Sequence, residues 1–148
     1  MASGFTFDIS NFNESIDELK RRVDIATRDA TALGGHQIER EAKLGFDDNP
    51  AQRPDTHGPR PYSVSGNQVR SIKLIPRVPI NTGPGQWTVS IAPTMVYGRR
   101  IELGFHGTDS IGRHYNQPGY PFLKPGLDKA IPVLPRIFAD TWARALAR

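Results

Sequence analysis

The chain contains no cysteine. Disulfides, thiolate metal sites and thiol nucleophiles are therefore excluded, which leaves only histidine and carboxylate side chains as candidate metal ligands. It also lacks any run of about 18 apolar residues, and its first residues show no basic segment followed by an apolar one. Neither membrane spanning nor secretion is expected, and no membrane partner. There is no G-x-S-x-G elbow to expose a nucleophilic serine. The Gly83-Pro84-Gly85 stretch lacks the Lys-Ser that would follow it in a phosphate loop, so it reads as a turn between two strands. Internal repeats and low-complexity tracts are absent as well.

What is present fits one globular domain over 1–148: 148 residues, 37% hydrophobic and 23% charged. The 14 glycines and 13 prolines cluster in the middle of the chain, so extended loops should occupy much of it. A net charge of +4 and a pI near 9.7 permit contact with nucleic acid. So modest an excess is equally common on a solvated surface.

Apolar or small residues at Phe12, Ile16, Leu19, Val23, Ala26, Ala30 and Leu33 recur at steps of three and four, which predicts a long N-terminal helix over 11–44. Ser10, Asn11 or Asn13 can cap it, with Glu14, Asp17 and Glu18 placed for the helix dipole. Gly34-Gly35 should weaken it, and a kink or two separate segments are both open. Residues 45–62 hold Pro50, Pro54, Pro59 and Pro61 and read as an extended arm reaching a neighbouring chain. The 63–105 region is expected to form a β-hairpin. Its first strand is confined to an edge by Pro76 and Pro79, and Trp87, Val89 and Ile91 share a face of the second. Residues 95–105 are ambiguous between helix and strand, with Val96, Ile101, Leu103 and Phe105 as buried candidates.

A second Gly-rich loop is expected over 106–120 and a C-terminal helix over 121–148. The stripe Leu127, Ile131, Leu134, Phe138 and Trp142 should cover the sheet. Pro121 and Pro125 suit helix entry, where the missing N–H has no intrahelical partner. Pro132 and Pro135 should break or restart the helix. Phe122 and Leu123 are expected to pin the preceding loop to the core. The fold class is therefore α+β: long N- and C-terminal helices packed on a small antiparallel sheet, with two long Pro/Gly-rich loops.

Chemistry is sparse. Glu102, His106, His114 and His57 could supply nitrogen and oxygen ligands to a metal-dependent hydrolase, but their spacing lacks a supporting pattern and they read as solvated loop residues. No catalytic, cofactor or metal site is expected. Arg99 and Arg100 beside Tyr97, Arg113 beside Tyr115, and the late arginines Arg136, Arg144 and Arg148 would form a sequence-independent phosphate surface if they faced one lumen or groove. A small basic DNA-binding protein is thus one reading. Arg99, Arg100 and Glu102 can instead form a local salt-bridge group.

Three blocks carry a likeness: "RPYSVSGNQVRSI" at 60–72, "VYGRRIELG" at 96–104 and "PFLKPGLDKA" at 121–130. In this order they resemble the small neck and tail-component proteins of long-tailed bacteriophages. The matching positions are Gly66, Val69, Arg70, Ser71 and Ile72, then Tyr97, Gly98, Glu102 and Gly104, then Pro121, Phe122, Leu123, Lys124 and Pro125. The chain departs from the family in Gly126 where Ala is usual, in Lys124 for Arg, and in Pro132 and Pro135. The resemblance implies a non-enzymatic virion subunit, assembled in the host cytoplasm. It would form a ring of about six copies between the head-completion (stopper) protein and the tail terminator or tail tube. Genomic DNA would pass through the lumen, with Arg99, Arg100 and Arg113 as the candidate residues facing it.

Overall fold

A computed structural model describes residues 10–46, 61 and 66–147. Most of the arm expected over 45–62 lies outside the described residues.

Helix α1, Ser10–Leu44, runs uninterrupted through Gly34-Gly35. Over its described span from Ser10 the first turn carries no acid, and Glu14 falls just beyond that turn. Its outer face is laced by pairs three and four residues apart, Asp17 with Lys20, Glu18 with Arg21 and Arg22, and Glu39 with Lys43. Its buried positions are Ala26, Ala30, Gly34, Gly35 and Ala42, whereas the larger Phe12, Leu19 and Leu33 are exposed. Small side chains at these positions let neighbouring elements approach α1 closely.

One neighbour is a hairpin. Helix α2, Asn67–Ser71, leads into β1, Ile72–Gly83, which pairs antiparallel with β2, Gln86–Pro93. Ile75 faces Ser90 and Ile80 faces Thr88, so residues 76–79 of β1 stand opposite Val89 alone, outside the ladder. Pro76 and Pro79 bound that bulge; neither has an N–H to lose. The Ile75–Pro76 peptide bond is cis. Trp87, Val89 and Ile91 are half-buried while Gln86, Thr88 and Ser90 are exposed, the alternation the sequence predicts. Trp87 Nε1–H donates to Asp24 Oδ1 at 2.9 Å, tying the hairpin to α1.

The ambiguous stretch resolves as helix followed by strand: α3, Gly98–Leu103, then β3, Phe105–Thr108. The loop expected over 106–120 is corrected, because β3 pairs with β4, His114–Gln117, in a second two-stranded sheet. Its turn is organised by Asp109, whose carboxylate accepts the N–H groups of Ile111 at 3.0 Å and Arg113 at 2.9 Å, with Gly112 at φ 83°.

The C-terminal helix is α4, Leu123–Ala130, a 3-10 turn at Ile131–Val133, and α5, Leu134–Leu146. The turn sits where Pro132 and Pro135 are expected to interrupt the helix, and Pro135 lies in the first turn of α5. These helices pack on α1, and the expectation that they cover the sheet is corrected. Close packing explains it. A Cβ on Gly34 would lie 3.2 Å from Leu134 Cδ2, and one on Gly126 would lie 2.6 Å from both Cα and N of Ala42. The hairpin meets α1 at Gly35 instead, where a Cβ would collide with Leu74 Cδ1 and lie 3.0 Å from Val89 Cγ2. α1 is therefore the middle layer.

Candidate functional site

The three sequence blocks, separated by more than 15 residues each, converge on one joint. Its centre is the core cluster of Ala42, Phe46, Ile72 and Phe122, against which Val69, Ile101 and Leu123 pack. Phe122 is 0% exposed, as expected of the anchor, and its ring lies 4.8 Å from that of Phe46. Each block thus contributes apolar side chains to the same cluster.

Polar groups then lock the blocks together. The Glu102 carboxylate accepts the backbone N–H of Phe122 at 2.7 Å, of Leu123 at 3.0 Å and of Lys124 at 3.2 Å. These are donors that the first turn of α4 leaves without intrahelical partners. A salt-bridge group with Arg99 and Arg100 is not what Glu102 forms; it caps α4. The Tyr120 N–H donates to the Ile101 carbonyl at 2.6 Å, and the Thr94 N–H to the Ser71 carbonyl at 2.9 Å. Gly104 has φ 76°, and a Cβ there would lie 2.6 Å from Gln117 O and Gly119 N, so both its conformation and its surroundings require glycine.

The remaining motif residues play smaller parts. Arg70 is exposed and donates to Asn67 Oδ1 at 2.7 Å. The Tyr97 carbonyl accepts the Ile101 N–H at 3.1 Å. Pro121 is exposed and Pro125 half-buried. Gln68 in α2 is 4% exposed, and neither its Nε2 nor its Oε1 has a hydrogen-bond partner among the described residues.

The candidate phosphate-facing arginines lie around the second sheet. The Arg100 guanidinium sits 3.9 Å over the Phe105 ring and 5.4 Å from that of Tyr115, holding β3 and β4 to α3 by cation–π stacking. Arg113 donates to Asp109 Oδ2 at 2.7 Å, so its charge is compensated, and Arg99 is exposed. Burial pushes the Asp109 carboxyl up. The Arg113 N–H and guanidinium, the Ile111 N–H and the Tyr115 hydroxyl outweigh it and hold the carboxyl below its ordinary value. Beyond these interactions β3 and β4 scarcely touch the other elements, and Ile111 at their turn is 70% exposed.

His106 and His114 are engaged within the same sheet, with Asn116 and Thr108 respectively. His57 lies outside the described residues, and among those described no three His, Asp or Glu side chains are grouped to hold a metal ion. Asp109 is absent from the residues the sequence singles out, although Asp followed by Ser, Ile and Gly carries a turn signal.

Large apolar side chains lie on the surface in rows. Leu127 with Ile131, and Trp142 with Leu146, are i,i+4 pairs exposed on the C-terminal helices, and Ile75, Val78 and Ile80 are exposed around the β1 bulge. By contrast, among the described residues only Phe122 and Ile72 are large side chains buried completely. A groove of about 510 Å³ between α1 and α5 is lined by Glu18, Arg21, Arg22 and Arg144 among others; Glu18 pairs with both Arg21 and Arg22. No family model, curated protein or solved structure matches the chain.

Proposed function

We propose that this chain is a non-enzymatic structural subunit of a bacteriophage virion, a ring-forming neck or tail-completion protein that joins the head-completion complex to the tail. The observation that carries the reading is the imbalance, among the described residues, between a small set of large buried side chains, Phe46, Ile72, Leu74 and Phe122, and a surface bearing rows of exposed leucine, isoleucine and tryptophan. With so few large side chains buried among the described residues, the chain gains by burying that surface against copies of itself or adjoining rings. The β3–β4 sheet, ordered internally and projecting with Ile111 at its end, suits an arm laid on a neighbour. The blocks that carry the phage resemblance meet in one joint, as residues of a shared structural motif should.

The reading is tested by sedimentation of the purified chain alone and with a head-completion protein and a tail-tube protein from the same genome. A ring of about six copies, formed alone or on either partner, is expected. A strict monomer that binds neither partner overturns it.

A further inference from the structure

Cations are not spread evenly over the fold. Most of those on α1 and the C-terminal helices are matched to an acid one helical turn away, as Lys20 is to Asp17, Lys124 to Asp128 and Arg136 to Asp140. Arg40, Lys73 and Arg77 have no such partner among the described residues. All three border two grooves that meet at His36. One groove, of about 400 Å³, lies between α1 and β1 and is lined by His36, Glu39, Lys43, Lys73, Leu74 and Arg77. The other, of about 340 Å³, lies between α1 and α5 and carries Arg40 and Arg144 beside the same His36. Together they make a basic band crossing the exposed side of α1 from the first hairpin to the last helix.

The acids within the band are already occupied. Glu39 accepts from Lys43 and from the Leu74 N–H at 3.2 Å and lies 3.5 Å from His36 Nδ1, while Asp140 faces Arg136 at 3.7 Å. Arg77 is displayed by the bulge between Pro76 and Pro79, where the prolines fix φ and so limit the backbone's freedom to withdraw it. No Phe, Tyr or Trp among the described residues lines either groove, so the band offers charge without a stacking platform for unpaired bases.

We infer that this band is a docking surface for the phosphodiester backbone of duplex DNA, contacted without regard to sequence. The inference stands on the charge placement of one chain and does not depend on ring assembly. A protein that forms rings without binding DNA and one that binds DNA without forming rings are therefore separable results.

The test is fluorescence anisotropy with a labelled duplex of random sequence and the corresponding single strand, from low to moderate NaCl. Wild type is expected to bind the duplex at least as tightly as the single strand, and to lose affinity steeply as salt rises. The exposed double substitution Lys73→Gln/Arg77→Gln should lower the slope of log K against log salt by about 1.8, or about 0.9 for each phosphate no longer neutralised. Arg99→Gln, in α3 and outside both grooves, should leave the slope unchanged. Absence of duplex binding at low salt, preference for the single strand, or weakening by Arg99→Gln in place of the double variant would each overturn the assignment. Circular dichroism of the variants separates a surface stripped of charge from a chain that no longer folds.

Discussion

The Glu102 carboxylate is the N-terminal cap of α4: it accepts the Phe122 N–H at 2.7 Å from 20 residues earlier in the chain. A cap is usually supplied by the residue next to the helix, but Phe122 stands there and has no side-chain oxygen to offer. Glu102→Ala should therefore destabilise the fold by about 2–3 kcal/mol, since hydrogen bonds to a charged group contribute more than neutral ones. Glu102→Gln should lose less, because one amide oxygen can still accept. Urea unfolding of the two variants measures the order, and equal stability to wild type would refute the capping role.

Phe122 itself fills the centre of the core. Phe122→Ala should cost about 3–5 kcal/mol, through reduced burial and the cavity left beside Phe46. An unchanged melting temperature would contradict its placement.

Gly126→Ala sets two effects against each other. Alanine favours the helix by about 1 kcal/mol, but its Cβ would meet the backbone of Ala42 at 2.6 Å, and backbone cannot rotate aside as a side chain can. The clash should win, with a net loss of about 1–3 kcal/mol. A stabilised variant, measured by thermal unfolding, would show that α4 can lift from α1 without penalty.

Gln68→Met should do the opposite. Burying an amide with neither atom bonded is unfavourable, and an apolar side chain of similar shape removes that penalty, for a gain of about 1–2 kcal/mol. A lower denaturation midpoint than wild type would mean that the amide has a partner after all.

The Asp109 turn should respond to acid. The folded carboxyl titrates below its ordinary value of 3.8, so its contribution to stability is complete above that value and is lost as pH falls through the lower folded one. The Ile111 and Arg113 amide resonances should report an intact turn at about pH 5 and its loss only at more acid pH. Asp109→Asn should weaken the turn at about pH 5, where the wild-type carboxylate is charged, and abolish that dependence.

The periodicity of 11–44 is enough to place a long helix, and the Pro132 to Pro135 spacing is enough to place the interruption near the end. Which residues of α1 are buried is harder to read. The largest apolar ones, Phe12, Leu19 and Leu33, are exposed, and Ala26, Ala30 and Gly34 take their places because two layers press on the helix. Hydrophobic pattern ranks residues by size and greasiness, so it undervalues packing that depends on having almost no side chain. For the same reason Gly34-Gly35 reads as a weakness in the sequence, when it is a point where both layers press closely on the helix. The β3–β4 sheet escapes notice because its turn depends on one carboxylate and its strands are mostly polar. The basic band is equally illegible, since Lys73 and Arg77 reach the groove at His36 only when β1 lies along α1, and Arg40 meets Arg144 across a groove only when α5 does.

The approach of Ala42 to Gly126 spans more than half the chain. During synthesis the second side of the long helix is not covered until α4 and α5 have emerged, and a lone helix in water is only marginally stable. Pairings so distant in sequence also slow folding, because the intervening loop must close before they form. Emergence of α4 and α5 is thus what commits α1 to its place, and a product truncated before α4 would present Gly34 and Ala42 bare to solvent.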